Sequence, residues 1–439
     1  MKVLKRLLLI CGFITLTTML LIACSNEETD TNSTPQSTDK EQTPKNSEGT
    51  EEKNDPITLS VGTLWDENMF NDRFKEPVES KFPHITLEHV HVNNFDRQAL
   101  EEMFSSGTNP DFFFTLSQED IEYFQVDQDL TDLLELNGID TSHLNQALLD
   151  TIRARDKEGR LLSWPYEDTY YVIMYNKDLF DLFGVDYPSD DMTWDQLIDL
   201  SRELTQERDG IQYRGLDFGE EVMLSQLSVN ATDPETGEVK VVNQKEFSDF
   251  MNMYKSYFDS LPSNYEGNVF TDERFLQRTT AMVVTNAQAI NWRKDDDLNY
   301  DIATIPTWSD RPGVGPRGFL HTLTLNPNTE HPNDVVKIFE YFSSDEYQKW
   351  MSRNGIGIVT NSQDLQDEFY ADYESAQGKN IPAIFKNNTA PPPERISMWD
   401  KYVSIDMQKF YESGMDASEF LRVVTEESET KIKDAKAQQ

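Results

Sequence analysis

The sequence predicts an α/β protein of two lobes, with the chain crossing from one to the other. Three observations carry this. First, 439 residues suffice for two or three domains. Second, β-prone runs alternate with amphipathic helical stretches from Ile57 to Leu116. Third, the stretch Trp164-Pro-Tyr-Glu-Asp-Thr-Tyr-Tyr-Val-Ile-Met-Tyr-Asn-Lys-Asp178 leaves an aromatic, carboxylate-bearing segment as an apolar run, Tyr170 to Tyr175. It then opens a new helix with Leu179, Phe180, Leu182 and Phe183 at helical spacing. A strand that leaves a polar site and enters a fresh core suits a passage between lobes.

In chain order, Ile57 to Thr63 reads as a buried strand, and a helix over Asp72 to Lys81 turns Phe74, Val78 and Phe82 inward. Ile85 to Val92 alternates as a second strand, and Phe95 to Ser106 is a helix closed by Gly107. Asp111 to Leu116 is a third strand. This order implies a parallel sheet covered on both faces, with ligands beyond the carboxyl ends of the strands, near Trp65-Asp66 and Ser117-Gln118. Leu130 to Ile152 is mostly helical, and Leu161 to Trp164 returns as a strand. Asn176 or Asp178 caps the next helix. Thr193 to Leu204 is a capped helix, Asp233-Pro-Glu-Thr-Gly237 a turn before an edge strand at Val239 to Val242, and Phe247 to Phe258 an amphipathic helix. Ala281 to Thr285 and Asp301 to Ile305 are strands, with Asn286 ending the first and Trp292 on the helix after it.

The amino terminus sets the compartment. Lys2, Lys5 and Arg6 precede the apolar run Leu7 to Ala23, the layout of a secretory signal. The run ends in Leu21-Ile-Ala-Cys24, which resembles the lipobox of bacterial lipoproteins and implies cleavage after residue 23 and acylation of Cys24. An uncleaved membrane anchor is the competing reading. Ser25 to Pro56 contains no Val, Ile, Leu, Met, Ala or aromatic residue, so 24–56 is read as a lipidated cysteine and a disordered acidic tether. The two cysteines both lie in the first 24 residues, so the body is held by its core and not by disulfides. With 39 basic against 79 acidic residues the chain carries −40, a surface that repels nucleic acid and anionic lipid.

Pro165-Tyr166 followed by Tyr175-Asn-Lys-Asp-Leu-Phe180 and Thr193-Trp194 resembles the extracellular solute-binding proteins of bacterial ABC importers, in the carbohydrate-binding family 1 that includes maltose-binding protein. Thr280-Ala-Met-Val-Val, Asp301-Ile-Ala-Thr-Ile-Pro306, Gly318-Phe-Leu and the segment Asn333 to Trp350 continue the likeness in family order. The resemblance implies a two-lobe periplasmic-binding-protein-like (type II) α/β fold, with an interlobe cleft and three crossover segments. These fall at Tyr166 to Ile173, near Phe319 to Leu325, and near Ala390 to Met398, where Pro391-Pro-Pro393 is stiff. The implied lobes are 57–166 plus 322–388, and 167–321 plus 389–439.

A sugar offers C–H faces to aromatic rings and hydroxyls to carboxylates, amides and guanidinium groups. Trp65, Tyr166, Trp292 and Trp399 lie at predicted strand ends, crossings or the cleft-facing helix, with Asp66, Glu167, Asp168, Asn286 and Arg317 nearby. The resemblance carries Trp292, Asn286 and Trp399 to the sugar cleft. Trp194, Trp308 and Trp350 read as ordinary core. Glu167 and Asp168 could form the acid pair of a glycosidase, but neighbours on a strand point to opposite faces. Gly313-Val-Gly-Pro-Arg-Gly318 spells a dinucleotide motif but is interrupted by Pro316, so it reads as a loop. His89-Val-His91 has no further ligand near it in sequence, and Asp295-Asp-Asp297 lacks the glycine and distal glutamate of a calcium loop.

The expectation is a lipid-anchored, monomeric, extracellular binding protein with no catalytic residues, cofactor or metal. It captures a carbohydrate by hinge closure and hands it to the permease subunits of an ABC transporter. The alternatives are a surface-anchored glycan hydrolase, a binding protein of the same fold for a non-sugar solute, and a lipoprotein that signals to a sensor kinase.

Overall fold

The computed structural model describes residues 55–262, 265, 268–293 and 297–438. The leader at 1–23, Cys24 and all but the last residues of the 24–56 tether lie outside the described residues, as do Asp295 and Asp296.

Two sheets organise the chain. Strands β1 (Ile57–Thr63), β2 (Ile85–His91), β3 (Phe112–Phe114) and β4 (Trp164–Glu167) come first, and β5 (Tyr171–Asn176) opens the second sheet. A short hairpin, β6 (Glu207–Arg208) with β7 (Ile211–Gln212), precedes β8 (Arg214–Phe218), β9 (Thr280–Asn286) and β10 (Tyr300–Thr304). Then come β11 (Val314–Gly315), β12 (His321–Leu325) and β13 (Asn388–Thr389). The first sheet has the order β2-β1-β3-β12-β4, with β1 parallel to β2 and β3, and β12 antiparallel to β3 and β4. The second has the order β10-β5-β9-β8.

Each sheet carries a core on both faces. Leu59, Val61, Phe112 and Phe114 pack with Phe339 and Phe342 on one side of the first sheet, while Phe113 packs with Val92 and Leu100 on the other. Along β5 the alternation of period two sends Ile173 and Tyr175 to one core and Val172 and Met174 to another. The chain passes between the sheets within Asp168–Tyr170, again between β10 and β12, and a third time by stages. Phe369 and Tyr370 already pack on the second sheet. β13 then pairs with β11, and residues 390–398 lead to Trp399 in the second-sheet core.

Local chemistry explains the element ends. Thr193 closes a capping box with Gln196 at the start of Trp194–Leu204, and Asn176 caps Lys177–Phe183. The helical region predicted from Asp72 begins at Glu67, because Asp66 accepts from the Met69 N–H, and it widens into a π segment at Asn71–Lys75. Pro77 has no N–H to give the Arg73 carbonyl, which instead accepts from the Tyr347 hydroxyl at 2.6 Å. The stretch Leu130 to Ile152 is two helices, Thr131–Asn137 and Gln146–Arg155, because Gly138 turns left-handed (φ 68) and Asn145 starts a new cap. The predicted edge strand at Val239 to Val242 is absent. The Asp233 turn brings Val239 back only to Thr232, and Val241–Asn243 is a 3-10 turn leading into Lys245–Phe258.

Candidate functional site

β1 and β3 end at the same edge of the first sheet as β4, and β12 begins there, with Glu167 opposite His321. The second sheet presents the end of β9 beside the start of β5, Asn286 opposite Tyr171. The cleft is the gap between these edges, floored by the passages.

Glu167 is the strongest link across it. Its carboxylate is 3% exposed, accepts from Arg73 Nη1 at 2.7 Å and from Gln288 Nε2 at 2.6 Å. Gln288 follows β9, so one carboxylate is bonded from both sheets' elements. A second link is the ion pair of Lys401 with Glu119, the latter on the helix Gln118–Tyr123 that follows β3. Beside the floor, two exposed rings meet: Phe95 (58%) and Phe319 (49%), with centroids 6.2 Å apart. His321 lies 4.9 Å from Phe319 and bonds Thr115 Oγ1 at 3.2 Å, and burial lowers its pKa. Thr115 itself holds a left-handed backbone (φ 51), a strained conformation just past a strand end. Thr169 Oγ1 donates to the Phe319 carbonyl at 3.0 Å. Asn286 bonds Glu220, a carboxyl that burial pushes upward, while the buried Asn286 Oδ1 has no hydrogen-bond partner among the described residues.

The nine nominated residues divide. Glu167, Asn286 and Asp66 lie at strand ends that edge the cleft, Asp66 exposed as a helix cap, and Trp292 ends Ala289–Trp292 with 64% of its surface exposed. Trp65 and Tyr166 are core rings. The Trp65 N–H bonds Thr63 Oγ1, and the ring lies 4.9 Å from Phe74 and 4.2 Å from Phe114. Tyr166 is fully buried, with its hydroxyl on Tyr347 Oη at 2.7 Å. Trp399 is also core, 7% exposed, because the chain turns into the second core there and Lys436 of the tail helix Ala417–Gln438 covers its ring at 4.9 Å. Arg317 donates to the Pro391 carbonyl at 2.7 Å and so braces two passages. Asp168 is 2% exposed and lines a separate cavity of about 240 Å³ with Asn145, Thr360 and Asn388. Burial, and then Glu167, push its pKa up to about 7. Glu167 and Asp168 thus serve different surroundings and do not converge on one bond.

Sequence reasoning missed Phe95, Phe319 and Gln288. The helix predicted from Phe95 begins at Arg97 with Asp96 as cap, which leaves Phe95 outside it. Its position beyond the end of β2, outside any apolar period, was the available signal. Among the residues read as core, Trp194 and Trp308 are buried, but Trp350 is 36% exposed, its ring 5.4 Å from that of Tyr347. His89 stacks on Phe70 and His91 bonds the Trp65 carbonyl; among the described residues no group of three metal-ligating side chains forms. No described helix is long and apolar enough to cross a membrane.

Residues 70–349 match the model of the bacterial extracellular solute-binding protein family. No curated protein matches the chain. Among solved structures, the ABC substrate-binding protein Lmo0181 of Listeria monocytogenes, in complex with cycloalternan, is similar at 17% identity and a TM-score of 0.66, over 86% of this chain and 99% of that one. The cyclic alpha-maltosyl-1,6-maltose binding protein of Arthrobacter globiformis is similar at 16% identity and a TM-score of 0.63, over 85% and 98%. Maltose-bound MalE3 of T. maritima is similar at 14% identity and a TM-score of 0.58, over 85% and 99%. With two α/β lobes, a cleft between their strand ends, and a family match across both, the chain belongs to the bacterial extracellular solute-binding proteins.

Proposed function

We propose that the chain captures an oligosaccharide by closing its two lobes and delivers it to the permease of an ABC importer, hanging from the outer membrane face by acylated Cys24. The observation that carries the reading is the composition of the cleft. The exposed rings of Phe95 and Phe319 meet beside His321, whose strand partner Glu167 bonds Gln288, and Trp292 is exposed on the helix after β9, so flat apolar area accompanies charged and amide hydrogen-bonding groups. The cycloalternan, maltosyl-maltose and maltose ligands of the similar structures support the same ligand class. Closure follows from the placing of these groups on both lobes: a ligand that touches both stabilises the closed state by its added contacts.

Calorimetric titration with a panel of neutral oligosaccharides tests this. Saturable one-to-one binding is expected for at least one of them. Silence across the panel, with a response to peptides or polyamines, would overturn the ligand class while leaving family and fold in place.

A further inference from the structure

All three passages between the lobes meet around the cavity of about 240 Å³ that holds Asp168. The first passage lends it Asp168, the second Gly315 and the third Thr389. Strands β11 and β13 join the second passage to the third, pairing Val314 with Asn388 and Gly315 with Thr389. This cavity is not the cleft, for none of Glu167, Gln288, Asn286, His321 and Phe319 lines it. Asn361 and Asn388 line it and are also exposed, so it opens to solvent.

Among the described residues of the wall, Asp168 is the one carboxyl, and no Lys, Arg or His joins it. It is 2% exposed, and its side chain takes one hydrogen bond among the described residues, from the Thr169 N–H at 3.0 Å. The chain closes tightly on its other sides. A Cβ at Gly318 would collide with Asp168 Oδ1, and one at Gly357 with the Asp168 carbonyl oxygen. Neighbouring Glu167 is committed to Arg73 and Gln288. In the same wall the buried Thr360 hydroxyl has no hydrogen-bond partner among the described residues. A carboxylate with so little water and no cation beside it is costly to keep ionised unless a guest brings the opposite charge.

The rest of the wall selects the guest. Asn361, Gln366 and Asn388 bring amide oxygens that accept N–H bonds. Ile305, Ile384 and the Phe385 ring, 5.0 Å from that of Tyr170, bring apolar contact. A calcium-like ion gathers oxygens and gains nothing from apolar walls, and a neutral polyol leaves the carboxylate uncompensated. At about 30 Å³ for each water-sized group, the space takes on the order of eight non-hydrogen atoms. The net charge of −40 raises the concentration of cations around the chain. We propose that this cavity is a second ligand site, for a small organic ammonium compound. Its N–H groups donate to Asp168 and the amide oxygens, and its carbon skeleton rests on Ile384 and Phe385. Because every passage contributes to the wall, occupancy also biases lobe closure. That consequence rests on the function proposed above, whereas binding itself does not.

Calorimetric titration of the full folded chain at pH 8 tests the site, with ethanolammonium chloride as the probe. Sodium chloride and calcium chloride at equal ionic strength, and ethylene glycol, are the comparisons. Saturable binding of ethanolammonium alone is expected, weakened roughly tenfold or more in Asp168→Asn. Ala147→Leu should weaken it as much, because Ala147 lines the cavity from the helix Gln146–Arg155 and the larger side chain takes the space without altering a charge. That variant decides the matter if Asp168→Asn does not fold. Equal binding by wild type and both variants would mean that the probe gathers at surface acids, and would overturn the proposal. Silence with ethanolammonium, or sodium or calcium binding as well as it does, would overturn it too. Should no oligosaccharide bind the same preparation, the carbohydrate reading fails, and this titration still decides the second site.

Discussion

Asp168→Asn should change how stability depends on pH more than any other single substitution in the first passage. The carboxyl is 2% exposed, accepts from the Thr169 N–H at 3.0 Å, and is pushed up to about 7 by burial and then by Glu167. In the unfolded chain it titrates near 3.8. Between these values the folded protein holds a proton that the unfolded chain releases. The contribution is therefore fully present below the unfolded pKa and is lost as pH rises through about 7. The interval from 3.8 to about 7, at about 1.36 kcal/mol per pH unit, is on the order of 4 kcal/mol. Asparagine keeps the oxygen that serves Thr169 and never ionises. Urea unfolding at pH 4 through 8 should show the two proteins close together at pH 4. The variant should become the more stable by a few kcal/mol at pH 8. A difference that stays flat across the series would refute the reasoning, because other titrating groups are common to both proteins and cancel.

Three further outcomes follow from the geometry. Phe319→Ala should weaken oligosaccharide binding about tenfold by calorimetry and leave stability within about 0.5 kcal/mol, since the ring is half exposed and meets Phe95 and His321. Gln288→Ala removes a hydrogen bond to a buried carboxylate that spans the cleft. It should shift the open–closed balance by about 2 kcal/mol, roughly thirtyfold, seen as a larger radius of gyration in solution scattering. Thr193→Ala breaks the capping box of Trp194–Leu204 and should cost about 1 kcal/mol in urea unfolding without altering sugar affinity.

What the sequence made legible was local or periodic. Thr193 and Gln196 are three residues apart, so their reciprocal cap can be read directly. The strand-helix alternation after Ile57 fixes a parallel arrangement, and the apolar run after Tyr170 becomes β5, buried on both faces. The side chains of the site were harder, because their exposure depends on partners far along the chain. Tyr166 sits at a passage, as expected, yet its ring is buried by Phe74, Phe114 and Phe342, residues up to 176 positions away. Trp399 is covered by a helix whose packing no nearby residue announces. Phe319 falls within a predicted passage, and the approach of Phe95 from the end of β2 reveals it as a ring of the cleft. Gln288 gains its meaning from Glu167, 121 residues earlier, on the other sheet.

The central claim is that two lobes close over a carbohydrate held between them. Small-angle scattering of the folded chain, titrated with an oligosaccharide that calorimetry shows to bind, measures this most directly. A saturable fall in the radius of gyration, with the same midpoint as the heat of binding, is the predicted result. Binding that leaves the scattering curve unchanged at saturation would contradict the account.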